Sequence, residues 1–143
     1  MTICCQPMHT KNSWVLKKTF LWLALGWTIT IVILCLVSFK KFPSVDKIPN
    51  ADKYVHAAFH FVFTTLWYLY LKYKNPVANY RRPLISVLML SFVFGVLIEL
   101  AQHFFTDTRQ ADVKDVMANF TGGLLAVVIL IVYEKYLKKS YIQ

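Results

Sequence analysis

Four apolar blocks, each about as long as a membrane crossing, leave this chain few ways to fold. The first, Phe20 to Phe39, holds no charged residue and follows Lys17 and Lys18. About twenty residues rising about 1.5 Å each cover roughly 30 Å, the depth of a hydrocarbon core. The block is too long for the apolar part of a signal peptide and no small-residue cleavage site follows it, so it reads as a retained anchor. The second block runs from Tyr54 to Leu71 and the fourth from Val116 to Tyr133. The third, Pro83 to Phe105, is broken only by Glu99, Gln102 and His103. Lipid offers the backbone no hydrogen-bond partners, so each block should be helical. No block alternates with period two, and four strands cannot close a barrel. The expected fold is all-α, an integral-membrane four-helix bundle over residues 20–136, with tails at 1–19 and 137–143.

Composition agrees with one such domain. The chain has 143 residues, 57% of them hydrophobic, and a formal net charge of +9. That charge does not point to nucleic acid, because the Lys and Arg residues fall in the gaps between apolar blocks, where lipid head groups and insertion orientation call for them. The expected partners are therefore membrane lipids and no nucleic acid. Cys4 and Cys5 are adjacent and Cys35 lies inside an apolar run, which suits neither a disulfide framework nor a zinc spacing.

Orientation follows from the basic residues. Lys11, Lys17, Lys18, Lys72, Lys74, Arg81, Arg82, Lys135, Lys138 and Lys139 lie on the side holding both termini, and Lys40, Lys41, Lys47, Lys53, Arg109 and Lys114 on the other. Ten against six places both termini in the cytoplasm. Trp67, Tyr68, Tyr70, Tyr73, Tyr133 and Tyr136 then fall near the cytoplasmic ends, as an interfacial belt would.

Polarity gathers at the opposite face. Of the seven acidic residues, Asp46, Asp52, Asp107, Asp112 and Asp115 lie in the two outer connections and Glu99 in a helix feeding one; Glu134 stands apart. Spacing sharpens the pattern. Asp52, His56, His60 and Thr64 recur every four residues and form one helical stripe. Ser91, Gly95, Glu99 and Gln102 form a second, and Asp112, Asp115, Asn119, Gly122 and Ala126 a third, whose small residues allow close helix approach. His56, Glu99 and Asn119 all fall within about 9 Å of the same helix ends at helical rise. These positions predict one outward polar cluster.

Glu99 carries the strongest signal, since an ionisable group at mid-helix costs roughly 2.5–3.5 kcal/mol to insert. His56, Arg109, a proton or water would offset that cost, and both a functional site and a structural tie fit. His56 and His60 at i,i+4 suit a metal with Glu99 or Asp115 as a third ligand. Interhelical histidines are more often simply hydrogen-bonded, so no metal set is assigned and the cofactor is left unknown. Arg109 has the fork to grip a phosphate or carboxylate and can equally pair with Asp112 or Asp115. Gly122-Gly123 reads as packing, since no Lys-Ser/Thr follows.

These stretches resemble the VanZ-like family of small bacterial membrane proteins. The likeness rests on Asp52-Lys53-Tyr54-Val55-His56, then Glu99-x-x-Gln102, then Arg109, Asp115, Asn119 and Gly122 or Gly123 in that order. It covers roughly residues 46 to 130. His60 and His103 fall outside the pattern, and Asp112 stands where a small polar residue is usual. The resemblance implies a multi-pass helical protein of the bacterial cytoplasmic membrane. The family takes its name from a protein linked to teicoplanin resistance.

Two functions fit these residues. In the first, an outward pocket built from Asp52, Lys53, His56, Glu99, Gln102, Arg109, Asp115 and Asn119 recognises a polar or anionic group of an envelope lipid, cell-wall precursor or glycopeptide, with antibiotic resistance as one outcome. In the second, a membrane-embedded hydrolase or transferase acts on a lipid-linked phosphate. There His56 or Glu99 is the general base, Arg109 stabilises negative charge and Asp115 orients the histidine. A minimal transporter is disfavoured because no polar stripe is expected to cross the whole bilayer.

Overall fold

The computed structural model describes residues 10–36, 51–75, 79–105 and 112–140. They form four helices: α1 Thr10–Leu36, α2 Ala51–Lys74, α3 Arg81–Phe105 and α4 Val113–Ser140. There is no strand among the described residues, and the all-α bundle follows. Helices α1 and α4 extend beyond the apolar blocks into the stretches expected as tails. Lipid fixes only the minimum apolar length, and good helix formers such as Lys and Leu prolong a helix past it. Asn79 caps α3 by accepting from the Arg81 N–H at 3.2 Å, and Asp112 caps α4 by accepting from the Lys114 N–H at 2.9 Å.

Three helices contain stretches long and apolar enough to cross a membrane: Trp14–Leu36, Arg81–Phe105 and Val113–Tyr136. Helix α2, the most polar, packs against all three others, whereas α1 and α4 do not touch. The placement has a physical reason. Helix α2 turns His56, His60, Phe63, Thr64 and Tyr68 inward, where the neighbours shield them from lipid. The outer faces of the others are apolar, with Trp22, Ile29 and Ile33 exposed on α1, Ile85, Met89 and Leu97 on α3, and Leu125, Ile129 and Val132 on α4. So large an apolar exterior around a polar interior suits lipid and not water.

Two apolar layers hold the bundle. Ile31, Cys35, Phe63 and Ile98 form one, with Phe63 stacked on Phe94 at 4.8 Å between centroids. Tyr68, Leu84, Val87, Val127 and Leu130 form the other. Trp27 Nε1 donates to the Phe59 carbonyl at 3.1 Å and joins α1 to α2. Helices α2 and α4 meet closest: a Cβ on Gly122 would stand 1.9 Å from the Ala57 carbonyl oxygen, so only glycine fits there.

Candidate functional site

The three predicted stripes converge. At the end of the bundle where α2 and α4 begin and α3 finishes, His56, Glu99, Gln102, Asp115 and Asn119 are all buried. His56 is the hub. Its Nδ1 donates to Asn119 Oδ1 at 3.2 Å and lies 3.6 Å from Glu99 Oε1. Its Nε2 lies 3.8 Å from Asp52 Oδ1, one turn earlier on the same helix. Two acceptors on Nδ1 fix the proton there, so the Nε2 side of the ring faces Asp52. Glu99 has thus found a histidine, one of the partners expected for it.

Above this hub sits an ionic layer. Lys53 Nζ lies 3.4 Å from Asp115 Oδ1 and 3.5 Å from Asp112 Oδ2. Partial desolvation pulls the Lys53 ammonium down, but Asp115 and then Asp112 outweigh it and hold it above its ordinary value. The Lys114 backbone N–H, with Lys53 beside it, holds the Asp112 carboxyl below the usual carboxylate range. Asp52, Glu99, Asp112 and Asp115 outnumber Lys53 and Lys114, so the described part of the cluster is acidic on balance. Lys53 is already committed to two carboxylates. Arg109 lies outside the described residues, as do Asp46 and Asp107, and the anion grip expected of Arg109 has no geometry here.

Gln102 reaches across to α1. Its Nε2 donates to the Cys35 carbonyl at 3.0 Å and pins the end of α1 to α3. The sequence gives no sign of Cys35 in this role, because a backbone carbonyl is blind to side-chain identity. His60 also turns away from any shared ligand set with His56. Its Nδ1 is hydrogen-bonded to Ser91 Oγ at 2.8 Å, as for an interhelical histidine, and the ring packs against Phe63 and Phe94. His103 is exposed.

The polar stripe of α2 is longer than expected. It continues past Thr64 to Tyr68 and Lys72, so polar residues recur from 52 to 72, about 30 Å at helical rise. That corrects the expectation that no stripe crosses the bundle. Tyr68, assigned above to an interfacial belt, is fully buried and its hydroxyl donates to Glu134 Oε1 at 2.7 Å, where Lys72 also binds. The Tyr68 ring itself packs in the apolar layer of Leu84, Val87, Val127 and Leu130. The every-four ladder in the sequence already carried the signal for this second polar group.

A family model described as VanZ/LLP1 matches residues 6–134. The match takes in α1, which the motif resemblance alone left out. No curated protein and no solved structure matches the chain.

Proposed function

The chain belongs to the VanZ/LLP1 family, and from that premise we propose a membrane-resident recognition protein of the bacterial cytoplasmic membrane. Both termini are cytoplasmic, and the His56 cluster faces outward toward a polar or anionic group of an envelope lipid, cell-wall precursor or glycopeptide. One observation supports this reading above others: His56, Glu99 and Asn119, from three different helices, bury their polar atoms against one another at one end of the bundle. A bundle needing only stability gains little from such a group, since apolar residues of similar volume serve as well or better. Binding offsets the cost of assembling it.

Glu99 and Asn119 hold His56 in one tautomer, and Gln102 anchors α1 as a wall. Asp52, about half exposed at its side chain, forms the mouth. Where the bound group belongs to a glycopeptide or its cell-wall target, binding would alter sensitivity to that antibiotic.

The test is thermal unfolding of the detergent-purified protein with undecaprenyl phosphate as the probe. A ligand that binds only the native state raises Tm with concentration. The expected result is a rise in Tm without phosphate release, lost in His56→Ala and Glu99→Gln. No rise for the wild-type protein, with cell-wall precursor and glycopeptide equally without effect, overturns the reading.

A further inference from the structure

Three side chains that can ligate a metal, Asp52, His56 and Asp115, meet at the mouth of the cluster. His56 Nδ1 carries the ring proton, because Asn119 Oδ1 and the Glu99 carboxylate both approach it. Its Nε2 faces the Asp52 carboxylate at 3.8 Å. Asp115 closes the third side. Ligand atoms of Asp52, His56 and Asp115 all lie within 4.8 Å of one another. Asp115 is 8% exposed, and its Oδ1 has no hydrogen-bond donor among the described residues, although Lys53 stands 3.4 Å away.

We propose that Asp52 Oδ1, His56 Nε2 and Asp115 Oδ1 form a divalent transition-metal site, taking Zn2+ or Mn2+, at the outer mouth of the cluster. One imidazole and two carboxylates are a donor set these ions accept, and a hydrogen-bonded Nδ1 is the usual support behind an imidazole that ligates through Nε2. Ligands at about 2.0–2.2 Å from a metal stand roughly 3–3.6 Å apart, so closure needs a movement of about 1 Å. That shift falls to Asp52, which lies on the first turn of α2 with its side chain about half exposed. Lys53 is the resident cation in the metal-free arrangement. Loading the site moves its ammonium from Asp115 toward Asp112, which it already touches at 3.5 Å.

The proposal rests on the recognition role above and deepens it. A metal with three protein ligands keeps a coordination position open. A phosphate or carboxylate oxygen of the recognised molecule would fill that position.

The experiment measures binding of the metal alone, with ZnCl2 and MnCl2 as probes, on tag-free protein stripped with EDTA and held in detergent. Tm and calorimetric titration are both read. The expected result is saturable binding of one ion per chain, lost in Asp52→Asn and His56→Ala and retained in His60→Ala. Asp52 is half exposed, so Asp52→Asn reports on the site even where His56→Ala fails to fold. Lys53→Gln removes the competing ammonium and should tighten binding several-fold. No saturable binding to the wild-type protein, or binding unchanged in Asp52→Asn, overturns the proposal. A final arm separates it from the recognition role. If undecaprenyl phosphate stabilises metal-free and metal-loaded protein equally, recognition stands and the metal bridge falls; if it stabilises only the loaded form, both stand.

Discussion

The two ends of α2 bury polar groups in opposite ways. At the Lys72 end a single carboxylate, Glu134, receives the Tyr68 hydroxyl at 2.7 Å and the Lys72 ammonium, so charge and hydrogen bonding balance locally. At the Asp52 end, Glu99 and Asp115 are buried beside His56 and Lys53, Asp52 and Asp112 are partly exposed, and Asn119 Nδ2 is buried without a hydrogen-bond partner among the described residues. The first arrangement completes itself. The second is assembled from three helices. Burial of charge therefore does not mark function by itself.

Substitutions can break this contrast. The largest effect is expected at Gly122, on which the approach of α2 and α4 behind the His56 cluster depends. Gly122→Leu would drive a side chain into the Ala57 backbone, which cannot yield as a flexible side chain does. Loss of the cooperative unfolding transition is expected, and wild-type Tm in that variant would refute the close packing. Tyr68→Phe comes next. It removes a hydrogen bond to a charged acceptor, worth about 1.5–3 kcal/mol, and should lower stability in denaturant titration while leaving any ligand-induced rise in Tm intact. His56→Ala should show the reverse pattern, a modest stability loss with the ligand response gone. If both variants lose the ligand response, the two ends are coupled and the contrast fails.

The smallest effect belongs to Asp112. Asp112→Ala removes the cap on α4 and one partner of Lys53, and a small fall in Tm is expected. Its pH dependence has a definite sign. The folded carboxyl titrates below its ordinary range, so its contribution is complete above the unfolded pKa and is lost as pH falls through the lowered folded value. The difference in Tm between wild type and Asp112→Ala should accordingly shrink at acid pH. A difference constant across that range would show that the carboxylate charge is not what caps the helix.

Much of the candidate site was legible in residue spacing. The stripes at Asp52, His56 and His60, at Ser91, Gly95 and Glu99, and at Asp115, Asn119 and Gly122 each keep to one face, and each of those faces turns inward except at the half-exposed Asp52. Helical periodicity fixes which residues share a face, and lipid forces the polar face inward. Tyr68 departs from its expected place for an instructive reason. An aromatic near a helix end suits the membrane interface equally well by composition, and nothing local tells a belt tyrosine from one donating to a buried carboxylate. Gln102 reaches the Cys35 carbonyl of α1, a partner that no side-chain pattern encodes.

The sequence by itself determined the helical class, the apolar spans and the inward faces, because these follow from residue order along one helix and from what lipid excludes. Tertiary structure alone decided that His60 pairs with Ser91 and leaves His56 to Asp52, Asn119 and Glu99, and that Lys53 is held between Asp112 and Asp115. Those outcomes depend on the rotation and offset of helices against one another, set by contacts such as Gly122 on Ala57, and periodicity within a single helix says nothing about them.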